Sequence, residues 1–272
     1  MGDNLSSYKK SNFAGAFFFL SKQKKQALGC VYAFCRLADD IVDEGLPDAK
    51  ERLASLRTEL DNIYNANAKT DLGRQLARAV KNFSIPKQYF SDLIEGCERD
   101  LQPAVRYETF GDLQWYTYRV AAVVGLMCIK IFGYKNKETQ NYAVALGHAV
   151  QLTNIIRDVA EDAKINRIYI PKQDMEIFGV SQEDILQLKD TRKTAALLFF
   201  EAQKAQEMFT KAEQILPKED FKSMLAARAM GNIYKAILNK LMARPCRLGD
   251  KKIKLNKVEK LVILFKTWRN RL

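Results

Sequence analysis

The chain has 272 residues, of which 47% are hydrophobic and 28% charged, enough to bury one sizeable core and too apolar for long disorder. Thirteen glycines and six prolines exclude a collagen-like or low-complexity protein, and one histidine with five cysteines in no CxxC pair gives little support to a zinc site or a disulfide framework. Of the net charge of +12, residues 244–272 carry +8 (ten basic, two acidic), which suits an anionic surface better than a nucleic acid.

Helical spacing dominates and strand signals are scarce. In chain order the pattern predicts helices over 22–44, 48–66, 72–82, 86–99, 110–131, 138–163, 182–187, 191–216, 218–244 and 257–271. Breaks fall at 45–47, Ser84 to Pro86, Pro103, Gly133, 166–171, Gly179, Pro217 and Pro245, and Ser181 reads as a helix N-cap. No linker divides the chain. The expectation is one all-α domain over 1–272, a helical bundle with a basic amphipathic segment at 244–272. The N-terminus is polar to Lys10, without a signal-peptide layout, and the most apolar stretch, 120–129, ends at Lys130. No transmembrane helix is expected, and a cytoplasmic setting fits.

Two segments place acids at helical spacing inside otherwise apolar helices. Tyr32, Arg36, Asp39 and Asp43 share one stripe, and Gln151, Asn154, Asp158 and Asp162 share another. Like charges stacked in an apolar segment are unfavourable unless a cation binds there. Two facing stripes of carboxylate and amide oxygens suit Mg²⁺, which bridges to substrate phosphates, so a diphosphate is the expected ligand. Arg36, Arg157 and Arg167 are placed to neutralise it. His148 lies off the second stripe and reads as a packed residue.

Loss of a diphosphate leaves a carbocation, which needs apolar or aromatic walls and exclusion of water. Candidate walls are Phe13, Phe17, Phe18, Phe19, Tyr32, Phe34, Trp115, Tyr116, Tyr118, Phe199, Phe200 and Tyr234, each also able to serve as plain core. The small residues Ala121, Ala122, Gly125, Ala143, Ala145 and Gly147 either leave room for an apolar chain or let helices pack closely.

These residues resemble the squalene/phytoene synthase family. The run YAFCRLADDIVDE (32–44) resembles its first aspartate motif, QLTNIIRDVAEDAKINRIYIP (151–171) its second, and YTYRVAAVVG (116–125) its tyrosine-containing helix. The likeness runs from about Ser11 to the C-terminus. Within the family it points to bacterial presqualene diphosphate synthases of hopanoid pathways, through AFFFL (16–20), RYETF (106–110), VGLMCIKIFGY (124–134) and KVEKLVILFKTW (257–268).

The resemblance implies an all-α isoprenoid synthase fold with a central cavity, and Mg²⁺-dependent head-to-head (1′–1) joining of two farnesyl diphosphates to presqualene diphosphate. It implies that Asp39, Asp43, Asn154, Asp158 and Asp162 bind Mg²⁺ and diphosphate, with Asp40, Gln151 and Glu161 nearby. Arg36, Arg157, Arg167 and Tyr234 would hold diphosphate oxygens. Phe13, Tyr32, Tyr116, Val120 and Val124 would line the chains or the cation site, with Tyr116 steering or deprotonating the cation unless a diphosphate oxygen takes the proton. Ala160 and Asn166 stand where the family usually has Gly, Ser21 where it has Pro, and Asn12 where Ser is common; none removes a charge.

NADPH is not expected, since the chain shows no Gly-rich dinucleotide fingerprint and no anchor of the eukaryotic squalene synthase kind. The alternatives are a phytoene or dehydrosqualene synthase, and a non-catalytic relative serving in assembly, although all four aspartates are present. A prenyl-elongating enzyme would carry a second DDxxD, and a nucleic-acid binder is disfavoured by the placement of the charge. The tail, apolar at Val258, Leu261, Val262, Leu264, Phe265 and Trp268, either rests on an anionic membrane, as a peripheral contact, or packs as a terminal helix; both readings stay open.

Overall fold

The computed structural model describes residues 19–243, 248 and 252–270. Its helices are α1 (Lys22–Asp43), α2 (Ala49–Tyr64), α3 (Asp71–Phe83), α4 (Lys87–Arg99), α5 (Phe110–Thr117), α6 (Val123–Phe132), α7 (Glu138–Lys164), α8 (Lys172–Ile177), α9 (Gln182–Leu186), α10 (Arg192–Ile215), α11 (Leu225–Met242) and α12 (Lys257–Arg269). Among the described residues there is no strand, only a parallel bridge between Val105 and Arg167. Helix α7 is central, packed along α10 and against α6 and α11.

Local chemistry sets most boundaries. Ser21 caps α1, its side chain accepting from Lys24 N, so Ser at this position supplies a start signal of its own. Thr109, Ser181, Thr191 and Asn256 each close a reciprocal capping box at the starts of α5, α9, α10 and α12. Asn166 adopts φ +59°, a left-handed conformation that Asn tolerates better than most residues.

Three expectations are corrected. The stretch 218–244 is not one helix. A 3₁₀ turn (Lys218–Asp220) precedes α11, because buried Asp220 accepts from Lys135 N (2.8 Å), Asn136 N (3.1 Å) and Thr139 Oγ1 (2.6 Å) at the start of α7. Those bonds hold the turn apart from α11. A short helix, α8, follows Pro171 where the sequence pattern gives none. The stretch 110–131 is continuous but contains a π-helical turn, Tyr118–Ala122. A Cβ on Gly96 of α4 would lie 2.7 Å from Arg119 Cβ, and one on Gly147 of α7 would lie 2.5 Å from Ala122 Cα. Glycine on both sides is what lets two helices close on the π turn.

The span Phe110–Phe132 is long and apolar enough to cross a membrane by composition. Its packing is that of a core helix. Leu113, Val123, Met127, Ile129 and Ile131 are buried between α4 and α7.

A buried ionic cluster pins α8 to α10. Lys204 Nζ lies 2.6 Å from Asp174 and 3.1 Å from Glu201, and over the rings of Phe110 (4.6 Å) and Phe200 (4.5 Å). Both acids are buried, and burial raises Glu201 to about 7 against the pull of Lys204.

Candidate active site

Helices α1, α4, α6, α7 and α11 enclose a cavity of about 470 Å³. Twelve of the residues that the resemblance assigns to metal, diphosphate, prenyl chain or cation line it: Tyr32, Arg36, Asp39, Asp43, Tyr116, Val120, Val124, Gln151, Asn154, Arg157, Asp158 and Tyr234. Much of the remaining wall is apolar, including Leu28, Val150, Leu146 and Phe132. Cys35, Cys97 and Cys128 also line it as free thiols, which burial pushes up and keeps protonated.

The first acidic wall belongs to α1. Arg36 pairs with Asp39 (2.8 Å) and with Asp40. Burial and the charge of Asp43 raise Asp39 to about 6, against the pull of Arg36. Asp43 is held by Arg167 at 2.8 Å. Arg167 is aimed by the loop after α7, where Ile168 N donates to Val105 O (3.0 Å) and the Arg106 guanidinium donates to Asn166 O (2.7 Å).

The second wall belongs to α7. Arg157 holds Asp158 with two bonds of 2.7 Å. Lys252 reaches in from the segment before α12, 3.0 Å from Asp158 and 2.7 Å from Glu161. Asn154 Nδ2 donates to Gln151 Oε1 (3.3 Å), whereas Asn154 Oδ1 is buried with no hydrogen-bond partner. Tyr234 of α11 stands beside Arg157.

Sequence reasoning missed the group that joins the walls. Asp100, the residue capping α4 at its C-terminus, accepts from Tyr116 Oη (2.7 Å) and Tyr169 Oη (3.0 Å). The rings of Tyr116 and Tyr169 stack at 5.2 Å, with Tyr107 5.5 Å from Tyr116. Burial raises Asp100, and its charge bears on Asp39 of one wall and Asp162 of the other. Nothing local signals Asp100: it is one acid in a loop, brought to Tyr116 and Tyr169 by tertiary structure. Tyr116 itself is pushed far above the ordinary phenol range by burial and by Asp100, and its proton is committed to that carboxylate.

Two expected ligands stand outside the cavity lining. Asp162 lies one helical turn beyond Asp158, raised to about 7 by burial and by Asp158 against the pull of Arg167, and Arg167 is bonded to Asp43 and to the backbone of Asp100. Phe13, Phe17, Phe18 and Asn12 fall outside the described residues. Several expected aromatic walls are elsewhere, because neighbouring helices or solvent claim them. Phe34 packs edge-on to Phe90, Phe200 covers Lys204, and Trp115 and Phe199 are exposed. Of the small residues, Ala121, Gly125, Ala143 and Gly147 reach the cavity, yet Gly125 and Gly147 are also closely packed, a Cβ on Gly125 lying 2.9 Å from Ala143 O. His148 is a packed residue, its Nδ1 2.7 Å from Thr117 Oγ1 and burial lowering it to about 4.

The donor set fits a hard divalent cation: it is all oxygen, neighbouring carboxylates raise Asp39 and Asp162, and Asn154, a lining residue, has a buried amide oxygen without a partner. Among the described residues no three carboxylate, imidazole or thiol side chains converge on one point. The acids are spread over two walls, most of them tied to a cationic side chain, so any cation would be shared with a bridging substrate.

Comparison with known proteins bears on the family and the fold. The chain is 31% identical to a presqualene diphosphate synthase of Sinorhizobium fredii, over 94% of this chain and 94% of that one. It is 32% identical to phytoene synthase 1, chloroplastic, of Arabidopsis thaliana over 97% of its own length, and spans 64% of that relative. The fold matches a crystal structure of a dehydrosqualene synthase in complex with ligand with a TM-score of 0.87 at 30% identity, covering 98% of this chain and 94% of that one. The squalene/phytoene synthase family model matches residues 7–259, and the chain belongs to that family of prenyltransferases.

Proposed function

We propose that this chain joins two farnesyl diphosphates head to head to presqualene diphosphate, releasing one diphosphate and one proton. The observation that carries the reading is a largely apolar cavity with two acidic walls and an unpartnered Asn154 Oδ1. Asp39, Asp43, Asn154 and Asp158 would hold Mg²⁺ from the two walls, with Asp162 at the rim. When bound there, Mg²⁺ neutralises diphosphate charge and makes it a better leaving group.

The protein's own groups do the rest. Arg36 and Arg157, released from Asp39 and Asp158, offer guanidinium donors to diphosphate oxygens. The C1–O bond of the first substrate breaks and its electron pair leaves with the diphosphate. The double bond of the second chain attacks the allylic cation, and loss of one proton closes the cyclopropane. Val120, Val124 and Leu146 exclude water from the cation. Tyr116 contributes its π face and is not the base, since its hydroxyl proton is bound to Asp100; the proton leaves on the released diphosphate.

Support for the C15 substrate comes from the presqualene diphosphate synthase and dehydrosqualene synthase relatives, whose lengths match this chain almost fully. The likeness to phytoene synthases favours a second reading, the same coupling of two C20 diphosphates.

The test is incubation of purified protein with Mg²⁺ and farnesyl diphosphate, and separately geranylgeranyl diphosphate, with and without NADPH, followed by mass spectrometry. A C30 cyclopropyl diphosphate unchanged by NADPH supports the proposal. Phytoene from the C20 substrate replaces it with the second reading, and no turnover by folded protein overturns both.

A further inference from the structure

Helix α12 has two faces, and among the described residues its polar contacts with the bundle are made by one of them. The inner face docks on α11: buried Thr267 accepts from Asn232 Nδ2 (2.8 Å), Lys240 pairs with Glu259 (2.6 Å), and Arg228 donates to Asn270 O (2.9 Å). The opposite face carries Val258, Leu261, Val262, Phe265 and Trp268, between 41% and 68% exposed. Steps of three and four residues put all five on one ridge, with the Phe265 and Trp268 rings 6.1 Å apart. The other exposed large apolar residues, Leu37, Leu46, Trp115, Ile165, Ile177 and Phe199, are scattered over separate elements. Single exposed apolar residues are ordinary; a contiguous ridge marks a contact surface.

The surroundings identify the contact. Lys257, Lys266 and Arg269 are exposed beside the ridge, and residues 244–272 carry +8. An apolar ridge edged by cations matches an anionic bilayer, where side chains enter the acyl boundary and lysines and arginines meet headgroups. Helix α11, under α12, lines the cavity with Met230 and Tyr234, and Lys252, five residues before α12, pairs with Asp158 in the cavity wall. We propose that α12 is an interfacial anchor that seats the chain on an anionic membrane, with the acidic site close to the lipid surface. The inference does not depend on which prenyl diphosphate is used.

The experiment is co-sedimentation of the full chain with vesicles of phosphatidylcholine and phosphatidylglycerol in equal parts, against phosphatidylcholine alone, beside sedimentation velocity without lipid. Wild type should pellet with the anionic vesicles and be released by salt. The double variant L261D/F265D should lose more than about tenfold in vesicle partitioning while keeping its helical circular dichroism. A Lys257→Glu/Lys266→Glu variant, which leaves the ridge intact, should lose binding to anionic vesicles only. Trp268 emission, read in W115F, should shift to the blue on adding anionic vesicles. Equal binding to both vesicle types, or equal binding by L261D/F265D, overturns the proposal. A lipid-free dimer that L261D/F265D breaks into monomers, with no vesicle binding by wild type, assigns the ridge to a second copy instead.

Discussion

Two carboxylate clusters in this molecule meet the same problem and resolve it oppositely. Asp174 and Glu201 are buried, and Lys204 answers both within 3.1 Å, capped by two aromatic rings. Nothing is left for a ligand to do. The acids of α1 and α7 line an opening instead, with side-chain exposure from 19% at Asp158 to 52% at Asp39. Their cations, Arg36, Arg157 and Lys252, sit on the end of long side chains that can turn away. Asn154 Oδ1 is left without a donor. A closed, saturated cluster serves stability; an open, unsaturated one keeps its binding energy for a guest.

The largest effect expected from this contrast is at Lys204. Lys204→Met leaves Asp174 buried without its cation and should cost about 3 kcal/mol in denaturant unfolding. A loss below about 1 kcal/mol would show that this cluster is no more closed than the site. Asp39→Asn should do the reverse. It should lower kcat/KM for prenyl diphosphate by about a hundredfold with little change in Tm, because Asp39 is half exposed and its pair with Arg36 is open to solvent. A fall in Tm would mean that Asp39 is structural.

Glu201→Gln sharpens the pH side of the comparison. The folded-state pKa of Glu201 is raised, so its contribution to stability is full below the unfolded glutamate value and is lost as pH rises through about 7. In the variant, unfolding free energy should fall less steeply between about pH 4.5 and 7, by at most about 1.4 kcal/mol per pH unit. An unchanged slope would assign the titration to another group. The smallest effect belongs to Lys252→Met. This is the same substitution as at Lys204, made where the acids are half-open, and it should cost less than about 1 kcal/mol. Equal losses at Lys204 and Lys252 would erase the distinction.

What was legible in the sequence was what repeats along one helix. The stripe Tyr32, Arg36, Asp39 and Asp43 lines the cavity as spaced, and so do Gln151, Asn154 and Asp158. Asp162, the last member of that stripe, lies one turn beyond the lining residues, because spacing fixes a direction around a helix but not where the cavity ends. Asp100 and Tyr169 were illegible for the opposite reason. They are joined to Tyr116 across 16 and 53 residues of sequence, and no local period encodes that meeting. Start signals such as Ser181 were readable; the turn before α11 was not, since Asp220 is held by backbone donors from the start of α7.

The π turn at Tyr118–Ala122 also fixes how α5 and α6 are phased. It holds one residue more than an α-helical turn, and each residue of a helix turns about 100°. Because the wide turn takes up its extra residue, α6 leaves it close to the phase it would have after an α turn one residue shorter. Tyr116 before the turn and Val124, Gly125 and Cys128 after it thus share one cavity wall. A residue deleted from the regular helix just after the turn has no such slack, and would swing Val124, Gly125 and Cys128 off the wall by about 100°. The five residues of the π turn are therefore the place in this helix where a change of chain length disturbs the pocket least.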